Sequence, residues 1–272
     1  HLAAQPLVRH SYDAPLETAT TNILGSAHVL EALRQNEIDC PVVVVTSDKC
    51  YENDGTSRAF SETDPLGGHD IYSASKAAVE IMTRSWQRAF KGRIATVRAG
   101  NVIGGGDYGV DRIVPDCVRA LETGESIAVR NPDATRPWQH VLDCLSGYLW
   151  LGARLADDES FASAFNFGPT LEAQRPVREL VENFLQYWPG EWTDTSDPAA
   201  PHEAATLSLA IDKAREQLGW QPVWDFATVI QRTARWYHQR HVLNAEDLHG
   251  LSLAQLEAYT ADTAAASSAW AQ

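Results

Sequence analysis

Tyr72 and Lys76 stand four residues apart in the run Asp70-Ile71-Tyr72-Ser73-Ala74-Ser75-Lys76. On a helix beginning near Tyr72 that spacing places both side chains on one face, one turn apart. A phenol is a poor base at its ordinary pKa of about 10, but a neighbouring ammonium favours the phenolate and lowers it. Such a pair can take a hydroxyl proton near neutral pH. A Tyr and a Lys at this spacing also occur incidentally on surface helices, so the pair gains meaning from what precedes it. Residues 41–45 are a continuous apolar run, the pattern of a buried parallel strand. The run ends in Thr46-Ser47-Asp48-Lys49, three polar residues and a cation at a strand's carboxyl end. Open α/β sheets bind their ligands there.

The elements that must position these groups follow along the chain. Residues 1–5 read as the tail of a strand and 12–17 as a turn around Pro15. Residues 20–35 read as a helix with a broad apolar stripe, and Asn22 near its start suits a helix cap. Residues 41–46 are the strand and 51–70 a polar loop. Residues 72–90 are a long helix that ends at Lys91-Gly92. Residues 94–102 are the next buried strand. Ile103-Gly104-Gly105-Gly106-Asp107 is a loop; a lone glycine cluster is a weak phosphate signal and otherwise a flexible turn. Further helices are expected at 112–122, 141–156, 176–187, 212–218, 225–240 and 252–260, with Asp212 capping the fourth and Gly219 closing it. Strands are expected at 126–130, 164–168 and 205–210, a loop at 136–140, and a frayed end at 263–272. His140, in that loop, reads as a packed or surface histidine rather than a catalytic one.

Composition narrows the possibilities. At 272 residues the chain suits one α/β domain plus an appended lobe. Apolar residues make up 44% and charged residues 21%, ordinary for a globular protein. A net charge of −14 argues against nonspecific binding of nucleic acid or anionic membrane. Anionic ligands must therefore be met by local Arg residues or helix N-termini. No apolar run approaches a membrane span of about 18 residues. Cys40, Cys50, Cys117 and Cys144 lack metal-like spacing and read as reduced packing thiols of a cytoplasmic protein.

Tyr72-x-x-x-Lys76 with Ser47 upstream resembles the extended short-chain dehydrogenase/reductase superfamily. The wording is nearer still to the CDP-glucose 4,6-dehydratases within it. The runs that carry this are His1-Leu2-Ala3-Ala4, Ser47-Asp48-Lys49-Cys50-Tyr51, Pro65-Leu66-Gly67-Gly68-His69-Asp70, Arg98-Ala99-Gly100-Asn101-Val102, Arg136-Pro137-Trp138-Gln139-His140 and Leu218-Gly219-Trp220-Gln221-Pro222. They cover nearly the whole chain, and the Ser-Asp-Lys-Cys-Tyr run is the specific part.

The resemblance implies a Rossmann-type doubly wound parallel sheet in residues 1–103, with returns near 141–168 and 225–240. It implies a smaller nucleotide-sugar lobe in 104–140 and 169–224, and a terminal helix and tail in 241–272. It further implies an NAD-dependent hydro-lyase that acts on CDP-glucose in deoxysugar and lipopolysaccharide biosynthesis, as a homodimer or higher homo-oligomer. In that scheme Tyr72 takes the sugar's 4-hydroxyl proton as the 4-hydride passes to NAD, and Ser47 hydrogen-bonds the 4-oxygen. Lys76 lowers the Tyr72 pKa and binds the nicotinamide ribose. Asp48 is the acid at the 6-oxygen. Lys49 replaces a Glu of the thymidine-linked relatives and serves as the carbon-5 base only if its pKa falls from ~10.4. The backbone at Ala3 and Ala4 lies along the cofactor. Asn22 either braces the site or caps its helix. Arg136 matches a diphosphate-binding Arg. Asn101 and Arg112 contact sugar or phosphate, or Arg112 is a solvated helix charge.

Two departures, Ile71 for a common Pro and the run 54–60 for an aromatic-rich insertion, leave the chemistry untouched. The glycine-rich cofactor turn is expected upstream of His1, within roughly 70–90 further residues at about 30 per βα unit. Two alternatives remain: a 4-epimerase, which needs no acid/base pair after the Ser, and a noncatalytic nucleotide-sugar-binding fragment. Asp48-Lys49 favours elimination.

Overall fold

The computed structural model describes residues 1–53, 55–56, 58–197 and 207–271. In chain order the elements are α1 (Val8–Asp13), α2 (Pro15–Ala19), a π-helical turn (Thr20–Leu24), α3 (Gly25–Gln35), β1 (Val42–Val45), a 3-10 turn (Asp48–Cys50), α4 (Ile71–Phe90) and β2 (Ile94–Ala99). Next come β3 (Val102–Ile103), α5 (Ile113–Thr123), β4 (Ile127–Val129), β5 (Thr135–Pro137), β6 (Gln139–His140), α6 (Val141–Asp157) and β7 (Ala164–Phe167). The last are β8 (Gln174–Pro176), α7 (Val177–Leu185), β9 (Trp192–Asp194), α8 (Asp212–Leu218), α9 (Phe226–His241) and α10 (Leu248–Ala265).

The chain divides into two compact units. The first comprises His1–Gly100, Leu145–Phe167 and Leu207–Trp220. Its sheet is parallel, in the order β1-β2-β7, with Val44 opposite Thr96 and Val97 opposite Phe165. Val42 and Val44 of β1 face α3 and α4, where Leu30, Val44, Val79 and Ile94 form a core. Asp70 caps α4: its carboxylate accepts from the Ser73 N–H at 2.9 Å and the Ser73 hydroxyl at 2.8 Å. This satisfies one of the orphan donors of a helix start. Lys91 takes the left-handed conformation that ends the helix.

The second unit comprises Asn101–Cys144, Gly168–Thr206 and Gln221–Gln272, as far as these residues are described. It holds three small ribbons, β3 with β6, β4 with β9 and the antiparallel β5 with β8. They surround a core of Val118, Ile127, Trp138, Leu180, Phe184, Ile230 and Tyr237.

Several expectations need correction. Residues 12–17 are not a turn but the junction of two short helices. Pro15 sits in the first turn of α2, where its missing N–H costs nothing, and it drives Ala14 out of the helical region, to φ −130° and ψ 64°. Residues 1–5 contain no strand; His1 alone bonds the β1 backbone, through Val43 O and Val45 N. The 94–102 strand breaks after Ala99, and Val102 then pairs with Gln139 in the second unit. The 136–140 loop belongs to two ribbons, held by a buried Trp138 whose indole donates to Arg175 O at 2.9 Å.

Residues 205–206 lie outside the described residues, and the rest of that expected strand forms only a bridge from Leu209 to Phe60. Asp212 is the first residue of α8 rather than its cap. Helix α10 starts at Asp247's cap and runs to Ala265 with Thr263 fully buried, and Trp270 beyond it stacks on Tyr259 at 5.8 Å, so the expected frayed end is packed as far as residue 271. Gln272 lies outside the described residues. Helix 225–240 falls in the second unit, because Ile230, Ala234, Trp236 and Tyr237 all enter its core. Residues 207–220 fall in the first, where Trp220 meets Phe167 edge-on at 4.8 Å.

Candidate active site

Strand β1 delivers its chemistry at its carboxyl end. Ser47 caps the 3-10 turn that follows, accepting from the Lys49 N–H at 3.2 Å, and its hydroxyl donates to Asp48 Oδ1 at 3.0 Å. Ser47 and Asp48 are buried and Lys49 is half-buried. The loop after the turn is clipped back to it, with Gly67 N–H on Cys50 O and Glu52 N–H on Pro65 O, both at 2.9 Å.

Helix α4 packs against this turn. Tyr72 and Lys76 are both buried on it, 8% and 6% exposed, although most lysines are solvated. Lys76 Nζ donates to Val45 O at 3.2 Å, which ties the helix to the last residue of β1. Burial pushes the Lys76 pKa down to about 8, while the charge of Glu80 acts in the other direction. Burial also pushes the Cys50 thiol well above its ordinary value, so Cys50 is a packing group.

Asn22 is no helix cap. It lies 1% exposed in the π-helical turn. Its amide oxygen accepts from Gln5 N–H at 2.8 Å, and its NH₂ donates to Gln5 O at 3.1 Å and to Ser75 Oγ at 2.9 Å. Ala3 is exposed and Ala4 half-buried, and both are strung between the clamped residues His1 and Gln5.

Two charged residues that sequence reasoning missed lie in this unit. Glu80 and Arg98 form an ion pair at 2.8 Å, with side chains only 3% and 1% exposed. Burial opposes the Arg98 charge, but the hydrogen bond and charge of Glu80 outweigh it and hold its pKa above the usual guanidinium range. The signals were present. Glu80 continues the stripe of Tyr72 and Lys76 by one more turn. Arg98 interrupts a buried strand, where a charge requires a partner.

The other expected residues sit in the second unit. Arg136 is buried in β5, directly opposite Arg175 of β8, and donates to Thr135 O at 2.9 Å. Arg175 is paired with Glu179 at 3.2 Å, so the two cross-strand arginines do not stand as a bare cation pair. Arg112 pairs with Asp107 at 2.9 Å and is 39% exposed. Asn101 is half-buried, and its carbonyl accepts from Gln139 N–H at 3.2 Å. His140 is buried against the Trp224 ring at 4.7 Å; burial and Arg232 push its pKa down to about 3, so it is neutral. The glycine cluster is a packed turn. A side chain on Gly105 would fall 2.2 Å from the Trp236 ring, and Gly106 has φ +84°.

A parallel sheet with Ser47 at a strand end and a buried Tyr72–Lys76 helix beside it is the Rossmann-type frame of an extended short-chain dehydrogenase/reductase. The chain belongs to the GDP-mannose 4,6 dehydratase family, which it matches over residues 1–233. It is 38% identical to the CDP-glucose 4,6-dehydratase of Salmonella typhimurium, across 97% of this chain and 76% of that one. It is 27% identical to the dTDP-glucose 4,6-dehydratase of Mycolicibacterium smegmatis, across 87% and 70%. Among solved structures, DesIV, a dTDP-glucose 4,6-dehydratase from Streptomyces venezuelae with NAD bound, superimposes with a TM-score of 0.77 at 24% identity, covering 90% of this chain and 74% of that one. No helix among the described residues is long and apolar enough to cross a membrane.

Proposed function

We propose that this protein is a hydro-lyase that converts CDP-glucose to its 4-dehydro-6-deoxy derivative with NAD held as cofactor. The observation that carries this reading is Asp48-Lys49 in the turn directly after Ser47, against the helix of Tyr72 and Lys76. An epimerase needs no such pair. The substrate follows from the Salmonella relative, whose name specifies CDP-glucose.

The residues present fit the nicotinamide end of NAD. The buried Lys76 ammonium spends one donor on Val45 O and has others for ribose hydroxyls. The backbone at Ala3 and Ala4 would run alongside. Bound NAD would accept the hydride from carbon 4 and return it to carbon 6. Tyr72, assisted by the Lys76 charge, removes the 4-hydroxyl proton. Ser47 would turn its hydroxyl from Asp48 Oδ1 to donate to the 4-oxygen. The carbonyl formed at carbon 4 acidifies the proton on carbon 5; Lys49, in its neutral amine form, would remove that proton and return it to carbon 5 as the hydride reaches carbon 6. Asp48 gives its proton to the departing 6-hydroxyl, so the C6–O bond breaks, a C5–C6 double bond forms and water leaves. Arg136 would meet the substrate diphosphate, with Asn101 and Arg112 as further sugar or phosphate contacts. The same reading extends to a cytoplasmic homodimer serving deoxysugar and lipopolysaccharide synthesis.

The test is incubation with CDP-glucose and NAD, followed by NMR of the product. A carbon-6 methyl beside a carbon-4 ketone is expected, with no net NADH. CDP-galactose, still hydroxylated at carbon 6, would overturn the reading.

A further inference from the structure

We infer that the buried Glu80–Arg98 pair is a positioning clamp that sets the Ser47-Asp48-Lys49 turn against helix α4. The inference rests on the reading of Asp48 and Lys49 as the elimination groups. Its basis is where the pair's hydrogen bonds go. Glu80 Oε1 accepts from the Thr46 hydroxyl at 2.5 Å, and Thr46 is the residue just before Ser47. Arg98 Nη1 donates to the Tyr51 hydroxyl at 2.8 Å, and Tyr51 is the residue just after Cys50. The two flanks of the turn are thus held by the two halves of one ion pair.

The clamp has a fixed base. Glu80 Oε2 accepts from Arg98 Nη2 at 2.8 Å and from the Thr96 hydroxyl at 2.7 Å, so both partners are anchored on β2. The Arg98 guanidinium lies 4.8 Å over the Tyr51 ring, and the Tyr51 hydroxyl passes its own proton to Asn166 Oδ1 of β7 at 2.6 Å. Glu80 is one turn beyond Lys76 and two beyond Tyr72 on the same helix. The oxidising helix and the eliminating turn therefore share one rigid link. A buried ion pair is a poor source of stability, because desolvation consumes most of its attraction. It is a good source of geometry, because each bond fixes a direction.

The experiment compares Tyr51→Phe and Glu80→Gln with Leu155→Ala, a fully buried aliphatic truncation in α6. Three quantities are read: kcat and KM for CDP-glucose, reduced-nicotinamide absorbance in single turnover, and amide hydrogen exchange of the 46–52 segment. Tyr51→Phe is expected to lower kcat by about tenfold, and Glu80→Gln by up to about a hundredfold, with KM within about twofold. Reduced nicotinamide should build up, since carbon-4 oxidation persists while elimination stalls. Exchange at 46–52 should rise in both variants, whereas Leu155→Ala lowers the melting temperature with neither effect. Unchanged exchange at 46–52 in both clamp variants, or kcat losses that merely track melting temperature as in Leu155→Ala, would overturn the clamp. If the parent protein makes no 4-keto product yet exchange separates the variants, the functional reading fails and the clamp stands.

Discussion

The Asn22 side chain donates to the Ser75 hydroxyl at 2.9 Å, and Ser75 in turn donates to the Tyr72 carbonyl at 2.7 Å. A residue far upstream thus reaches the first turn of the helix that carries Tyr72 and Lys76. The same Asn22 amide satisfies both backbone groups of Gln5.

Asn22→Ala should therefore do two things at once. Leaving buried backbone groups of Gln5 without partners costs about 1–3 kcal/mol each, so the denaturant midpoint should fall. The Ala3–Ala4 segment should also loosen, raising the Kd for NAD. Denaturant titration and calorimetry measure the two effects separately. A wild-type midpoint in Asn22→Ala would contradict this bracing.

Lys76 supplies a pH dependence of known sign. Its folded pKa of about 8 lies below its ordinary value of 10.5, chiefly through burial. Between those two values the unfolded chain binds the extra proton, so stability should rise as pH goes from about 8 to about 10. Activity should move the opposite way, because the cation that assists Tyr72 is lost as pH rises through about 8. Lys76→Met should abolish the stability rise and lose most activity at every pH. Denaturant midpoints and rates across this range check both.

Gly68 has no room for a side chain. A Cβ there would sit 2.4 Å from Ala74 N and 2.6 Å from Ser73 C, in the first turn of α4. Neither backbone atom can retreat without moving Tyr72. Gly68→Ala should cost about 1–3 kcal/mol and lower kcat. Gly25→Ala, whose Cβ would meet nothing nearer than 4.0 Å, should be tolerated. Thermal melts and rates of the two variants should diverge accordingly.

Tyr72 and Asp48 should separate the steps. Tyr72→Phe lacks the base for the 4-hydroxyl and should show no cofactor reduction. Asp48→Asn keeps that base but has no proton for the 6-oxygen, so oxidation at carbon 4, read as cofactor reduction, persists and elimination falls by about two orders of magnitude. Single-turnover absorbance decides between the roles, and equal loss of reduction in both variants would refute them.

Helix α4, strand β1 and the Ser47-Asp48-Lys49 run were legible because each is a local pattern. A helical period, an apolar run and a contiguous motif need no partner to be recognised. The family was legible for the same reason, through contiguous runs such as Ser47–Tyr51. The ribbons of the second unit were not. Residues 135–140 carry a proline and too few residues to show a period, and their pairing, 135–137 with β8 and 139–140 with β3, depends on which segment lies alongside. The role of Asn22 was undecided in one dimension, since capping and bracing need the same residue type. Its partners, Gln5 and Ser75, are 17 and 53 positions away. Glu80 and Arg98 are the sharper case. In sequence the helix stripe marks Glu80 and the apolar strand marks Arg98, but nothing local says that each is the other's partner. Only the tertiary structure brings them together out of water, and there the cost of burying a charge forces each to find its partner and gives the turn between Thr46 and Tyr51 its anchor.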